Sequence, residues 1–353
     1  MDRVVAAAPE PQPRATPPHP PAGNPGPGPA GAPPLRPRHR PAARAAVLLL
    51  AVPAVVAACR ALDTDAVTPV PQLLSFLPWL TVPAGLAVLL AAAARRRVLS
   101  FVAVTVLGTT AWASLPYVPD PVTLTAPPEA RVRVLAANVE FGEATGALVV
   151  TIRRERPTLV YVSECDRVCG RTLTTTFAAE LPHHASVAAD GSAGSVLLSA
   201  HPLRDRRVVP ATMGMPGATA VIAGRPVDLQ LAHPMPPLPG QTGLWKEELG
   251  RIRDAVARPA AGPHRIVAGD FNASQDHAAF RRILDAGRLQ DAARLAGASR
   301  TPTWPAEGPL PPSVQIDHVL VSDGFTVRAV RFPELAGSDH RAVLADLDLH
   351  DGR

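Results

Sequence analysis

The sequence predicts an α+β domain, a four-layer β-sandwich of two face-to-face sheets with helices outside, preceded by three transmembrane helices. Three observations predict it. The chain opens with a proline-rich segment lacking apolar periodicity; three apolar stretches follow, each near the roughly 20 residues needed to cross a bilayer. After residue 129 the pattern changes to short β-rich runs separated by a few helical stretches.

Residues Met1 to Pro41 hold 14 of the 42 prolines, mixed with Gly and Ala. Such a composition closes no core, so residues 1–44 are expected to form a solvated, disordered or polyproline-like tail. No apolar run follows the initiator closely enough for a cleavable signal peptide. The next segment, 45–116, contains apolar stretches over Ala45 to Cys59 (extendable to Leu62 past Arg60), Leu73 to Ala94 and Val98 to Leu115. None has the polar face that a soluble core helix of this length carries, so they read as membrane spans.

Arginines orient these spans. Arg36, Arg38, Arg40 and Arg44 precede the first, and Arg95 to Arg97 separate the second from the third, whereas the loop between the first two has Arg60 with Asp63 and Asp65. The positive-inside rule assigns the tail and the triple-arginine turn to the cytoplasm, and three crossings leave the remainder outside. Cys165 and Cys169 lie in that outer part. Two readings stand for them: a short-loop disulfide in an oxidising compartment, or a pair of buried thiols; two sulfurs alone do not fill a zinc site.

Charge follows the same partition. The whole chain carries 35 basic and 30 acidic residues, but residues 1–44 hold six arginines against two acids, while 130–353 hold 25 bases against 24 acids. The basic balance thus belongs to the tail. The outer domain lacks the bulk positive stripe of a duplex-binding protein.

Beyond a linker over 117–129, strands are expected at Arg131–Val139, Thr158–Glu164, Gly194–Ser199, Val227–His233, Arg265–Ala268, Ile316–Val321, Thr326–Arg331 and Ala342–Leu347. Helices fit Glu143–Arg156, Leu244–Ala257 and His277–Ala286. Polar residues recur where these runs meet loops: Asn138, Glu164, His233, Asp270 and Asn272 in Gly269-Asp270-Phe271-Asn272, Asp317-His318, and Ser338-Asp339-His340. Carboxylates, carboxamides and imidazoles without an activated Ser or Cys match oxygen-rich coordination of Mg²⁺ or Mn²⁺, with histidines left for phosphate and proton work. Singly, Asn138 also reads as a turn residue, His233 as a strand end, and Glu164 as a helix cap. His318 in a strand points away from Asp317 and is taken as non-catalytic.

In this order the motifs resemble the endonuclease/exonuclease/phosphatase superfamily, over about Ala130 to Leu349. The resemblance implies metal-assisted phosphoester hydrolysis at one end of a DNase I-like sandwich. By it, Glu164 is the principal metal ligand, with Asn138 beside it and Asp339 completing the metal side. Asp270 positions or deprotonates the attacking water, Asn272 holds the scissile phosphate, and His233 hydrogen-bonds a phosphate oxygen. His340 stabilises developing charge or shuttles a proton, with Asp317 as its orienting carboxylate; an Asp339–His340 pairing is also open.

Three spans before such a domain, together with Thr303-Trp304-Pro305, resemble the actinobacterial membrane phosphatases of the teicoplanin-resistance (VanJ-like) group. That resemblance implies an extracytoplasmic enzyme whose partners are the bilayer and a phosphorylated lipid or other envelope substrate. Nucleic acid is disfavoured by charge. An extracytoplasmic nuclease and a non-catalytic envelope scaffold are the alternatives; the full polar set argues against the scaffold.

Overall fold

The computed structural model describes residues 39–65, 67–115, 127–259, 262–306 and 312–351. Most of the expected tail and most of the linker over 117–129 lie outside these residues. Within the described part, the boundary of the tail moves: His39–Arg44, assigned above to it, already forms the first turns of a helix.

α1 (His39–Ala61) contains the first expected span and α4 (Arg97–Ser114) the third. Both are long and apolar enough to cross a membrane, with mean hydropathy 2.2 over Arg40–Ala61 and 1.3 over Arg97–Ser114. The second expected span is not one helix. It divides into α2 (Val70–Ser75), a 3-10 turn at Leu77–Leu80, and α3 (Thr81–Ala93). Pro78, having no backbone N–H to donate, falls where α2 would have to continue, so the helix restarts beyond it. Thirteen residues in α3 rise only about 20 Å. The helices pack through small residues, Ala46, Ala87, Ala91 and Ala103, and turn Leu48, Val98, Phe101 and Trp112 outward.

The remainder alternates strands and helices: β1 (Ala130–Asn138), α5 (Thr145–Glu155), β2 (Leu159–Ser163), α6 (Arg167–Thr176), β3 (His183–Val187), β4 (Ser195–Ser199), β5 (Leu203–Val208), β6 (Pro216–Ile222) and β7 (Arg225–Ala232). Then come α7 (Thr242–Ala257), β8 (His264–Asp270), α8 (Ala278–Gly287), β9 (Leu289–Asp291), α9 (Ala292–Leu295), β10 (Asp317–Ser322), β11 (Phe325–Arg331) and β12 (Val343–Leu349). They form two six-stranded sheets, ordered β11-β12-β1-β2-β4-β3 and β5-β6-β7-β8-β10-β9. Each sheet contains one parallel pair, β1–β2 and β7–β8, joined by a crossover helix. The other pairs among the described strands are antiparallel.

Strand periodicity sorts the side chains into layers. Val134, Tyr161, Leu229, Ile266, Ala345 and Leu347 face the interior between the sheets. Leu135, Val160 and Leu344 face outward under α5 and α6. On the other sheet Val267 and Leu320 meet Trp245 and Ile252 of α7 and Phe280 of α8. The expected helix–sheet–sheet–helix layering is therefore present.

The helical segment before residue 116 is tied to the sandwich. Asp65, almost fully buried, accepts the N–H groups of Ala278 (2.6 Å) and Ala279 (2.8 Å) and so caps α8 from a distant part of the chain. His277 Nε2 donates to the Pro71 carbonyl at 2.7 Å. Gln72 Nε2 donates to the carbonyl of Pro237, and Trp79 Nε1 to that of Ser313 at 3.2 Å.

Candidate active site

Four polar side chains stand at the C-terminal ends of the two parallel pairs. Asn138 ends β1, Glu164 follows β2, His233 follows β7 and Asp270 ends β8. In a parallel pair both chains leave at the same end of the sheet, so each sheet delivers two side chains to one place. The antiparallel neighbour β10 brings in Asp317, directly opposite Asp270 in register. His340 arrives on the segment leading into β12.

Hydrogen bonds join these residues across the two sheets. Asn138 Nδ2 donates to Glu164 Oε1 (3.1 Å) and to Asp270 Oδ2 (3.2 Å), while its Oδ1 accepts the Glu140 N–H (3.0 Å). Glu164 has a left-handed backbone, φ +56°, and its Oε2 accepts the Phe141 N–H at 3.2 Å. His233 Nε2 lies 3.7 Å from Glu164 Oε1 and 4.0 Å from Asp270 Oδ2. His340 Nδ1 is 2.9 Å from Asp317 Oδ2, and its Nε2 is 3.8 Å from Asp270 Oδ2. The Asp317–His340 pairing is thus the one formed.

Burial and neighbouring charge divide the labour among these groups. Asp270 is raised to about 7, by burial first and then by the adjacent Asp317. Burial alone lowers His340, but Asp317, Asp270 and Asp339 outweigh it and carry it to about 10. Burial drives His233 down to about 3, with the His340 charge adding to the effect. One imidazole is therefore cationic and one neutral near pH 7, beside a carboxylate poised to exchange a proton.

Asn272 and Asp339 stand at the rim. Asn272 Nδ2 donates to the Pro234 carbonyl at 3.0 Å, and its own N–H donates to Asp270 Oδ1 at 2.8 Å. Asp339 accepts Trp304 Nε1 at 2.8 Å, and its carboxylate is 3.7 Å from His340 Nε2. His318 faces the opposite side, between Asp291 (2.7 Å) and the Ala273 carbonyl (3.0 Å), as strand alternation requires. Glu164 does not cap α6; Asp166 does, accepting the Cys169 N–H at 2.7 Å.

The acidic groups fit a divalent cation. Asp270 and Asp317 are both buried, and with Glu164 they outnumber the single cationic imidazole, an anionic excess that a cation offsets. Asp270, Asp317 and His340 place one ligand atom each within 4.8 Å of one another. Asp317 Oδ2 is taken by His340 Nδ1, while Glu164 and Asp270 share the Asn138 amide as a donor and so lie side by side.

Several contributors have no role assigned from sequence, although Ser338 and Thr303 lie within motifs named above. Ser338 Oγ donates to the Asn138 carbonyl (2.8 Å) and accepts the His340 N–H (3.0 Å), linking two site segments 200 residues apart. Thr303 Oγ1 accepts the N–H groups of Ile316 (3.0 Å) and Asp317 (3.1 Å), fixing the start of β10. Glu140 Oε2 accepts the Asp339 N–H at 2.7 Å. Hydroxyl-to-backbone contacts of this kind leave no periodic trace in a sequence; the available signals are the proximity of Ser338 to His340 and the Thr303-Trp304-Pro305 motif.

The family model for the Endonuclease/Exonuclease/phosphatase family matches residues 135–340, which contain every one of these side chains. The chain belongs to the endonuclease/exonuclease/phosphatase family. Members of this family are hydrolases acting on phosphoester bonds. Among curated proteins no sequence matches the chain.

Solved structures of the endonuclease/exonuclease/phosphatase fold superpose on the sandwich. A humanized D. rerio TDP2 covers 62% of this chain and 99% of its own length, with a TM-score of 0.52 at 13% identity. An endonuclease/exonuclease/phosphatase protein from Bacteroides vulgatus covers 63% and 100%, with 0.52 at 16%. The human Nocturnin catalytic domain, solved with a bound sulfate anion, covers 62% and 93%, with 0.52 at 15%. At these identities the likeness is one of fold.

Cys165 and Cys169 form a disulfide, resolving the two readings of the pair. It closes a loop directly behind Glu164, whose left-handed backbone begins the turn into α6. Cys165→Ser is expected to lower unfolding free energy by about 2 kcal/mol, the loop-closure value for so short a ring. Urea unfolding of wild type and variant under non-reducing conditions measures it, and coincident midpoints would refute a stabilising bond.

Proposed function

We propose that the chain is a membrane-anchored, extracytoplasmic phosphoester hydrolase acting on lipid (pyro)phosphates of the cell envelope. The Asn138–Glu164–Asp270 network, set beside the Asp317–His340 pair, carries the catalytic half of this reading. A buried carboxylate with a pKa of about 7 is matched to taking a proton from water at neutral pH. In this scheme Asp270 orients and deprotonates the attacking water, and the His340 imidazolium, held by Asp317, opposes charge on the phosphate. His233 donates a neutral hydrogen bond to a phosphoryl oxygen, and Asn272 holds the group from the rim. Mg²⁺ or Mn²⁺, bound by Glu164 with Asn138 beside it and Asp339 on the outer side, would supply Lewis-acid neutralisation of the phosphate.

The helices support the membrane half. Only 28% of the apolar window of α1 and 11% of that of α4 are buried, whereas core helices of a soluble protein are mostly buried. We extend the proposal to three crossings, the second made by the apolar run Leu77–Ala93, with the N-terminus cytoplasmic and the catalytic unit outside. The disulfide agrees with an oxidising compartment. The Pro237 and Ser313 loops each lie four residues from a site residue, His233 and Asp317, and both are bonded to the 70–80 segment at the head of α3. That juxtaposition favours a substrate presented at the bilayer surface.

The test uses the full chain in detergent micelles with Mg²⁺, offered undecaprenyl pyrophosphate, a phosphodiester lipid and plasmid DNA. Metal-dependent release of phosphate from a lipid substrate is expected. Cleavage of DNA alone would overturn the lipid assignment in favour of a nuclease, and inactivity on all three would favour a scaffold.

A further inference from the structure

A shallow groove of about 720 Å³ opens where the start of α1 meets the turn between α3 and α4. Five arginines line it, Arg40 and Arg44 from α1 and Arg95, Arg96 and Arg97 from the turn and the first residue of α4, and no carboxylate does. All five are exposed, and no carboxylate among the described residues pairs with any of them. The ties of these helices to the sandwich form at their other ends, through Asp63 and Ala113.

The charges stand where a helix tolerates them least. A helix N-terminus carries the positive end of the dipole, so acids are favourable there and cations are not. α1 and α4 both begin in this groove, and neither has an acid in its first turn. Arg40 and Arg44 are also one turn apart on α1, a like-charge pair of the kind that weakens a helix. Such uncompensated repulsion calls for an anion. The rest of the wall is apolar: Val47, Val98 and Val102, all exposed, with Leu99 beside them. These side chains continue from the arginines along the next turns of α1 and α4, so a ligand that fills the groove has an anionic end and a hydrocarbon end.

We infer that this groove binds the headgroup of an anionic phospholipid, its phosphate among the five arginines and its acyl chains along Val47 and Val102. The inference rests on the membrane reading above, in which these arginines lie at the cytoplasmic surface, where basic recesses between spanning helices suit anionic headgroups. The bound lipid joins the start of α1 to the α3–α4 turn by offsetting the repulsion between them. Pyrophosphate shares the headgroup chemistry but makes no use of the apolar wall.

Native mass spectrometry of the full chain released from detergent, titrated with phosphatidylglycerol, phosphatidylcholine or pyrophosphate, tests it. Phosphatidylglycerol is expected to bind at least tenfold more tightly than phosphatidylcholine, as contacts with two or more arginines imply. It is also expected to raise the unfolding temperature of the detergent-solubilised chain where phosphatidylcholine does not. Arg44→Gln and Arg96→Gln, each leaving four arginines in place, are expected to weaken phosphatidylglycerol about fivefold apiece, with phosphatidylcholine unchanged as the control for folding. Equal binding of the two lipids, a preference undiminished in both variants, or pyrophosphate binding as tightly as phosphatidylglycerol would overturn the assignment alone. A chain that stays in solution without detergent would defeat the membrane reading and this inference with it, so the two failures are told apart.

Discussion

Asp270→Asn is expected to lower kcat by about 10²- to 10⁴-fold, the range for loss of a positioned general base, while the folded state keeps its stability within about 1 kcal/mol. The two halves of this result have different causes. Turnover falls because an amide cannot take the proton of the attacking water. Stability is held because the variant removes a carboxylate that is buried beside Asp317, so the like-charge penalty that raises Asp270 disappears. Against this, the hydrogen bond accepted from Asn138 is lost, whereas an amide oxygen still accepts the Asn272 N–H. Steady-state rates on the active substrate and thermal unfolding of the metal-free protein give both numbers. A variant with near wild-type turnover would remove Asp270 from the mechanism.

Asp317→Asn is expected to cost a comparable factor and to change the shape of the pH dependence. With Asp317 in place, His340 keeps its proton to about pH 10. A group whose folded pKa is raised contributes stability that is complete below its unfolded value, about 6.5, and lost as pH climbs through the folded one. The metal-free wild type should therefore lose this contribution between about pH 6.5 and 10. The variant, lacking the carboxylate that His340 faces at 2.9 Å, should lose far less there and should show its fall in rate nearer neutrality. Chemical denaturation at several pH values, paired with pH–rate profiles, reads both effects; superimposable stability curves would sink the ion-pair account.

Most of the sandwich is legible from periodicity. The strands that carry the site, β1, β2, β7, β8 and β10, are runs of Val, Leu, Ile and Ala ended by polar residues, and their bounds agree with expectation to within a few residues. β3 and β6 escape recognition because His183-His184-Ala185-Ser186-Val187 and Pro216-Gly217-Ala218-Thr219 lack the bulky β-branched pattern; their pairing with neighbours decides their state. α6 escapes it too, since its Thr-rich sequence is a poor helix former, made helical by the Asp166 cap and the burial of Cys169 and Leu173. The second apolar stretch reads as one span because hydropathy averages over prolines, whereas the backbone cannot.

The site is legible as a set of positions and not as a set of contacts. Asn138, Glu164, His233, Asp270, Asp317 and His340 do converge. That Asp339 turns toward Trp304, and that Ser338 and Thr303 hold the frame, depends on distances between loops.

Asn138 and Glu164 come from one sheet, His233 and Asp270 from the other, and what holds the two sheets together is the interior layer of Val134, Tyr161, Leu229 and Ile266. Beyond the direct Asn138–Asp270 bond, the alignment of the candidate site thus depends on hydrocarbon contact some distance away. Packing defects in that layer should register as lost turnover well before the protein unfolds, so the rate of hydrolysis acts as a gauge of how well the core is seated.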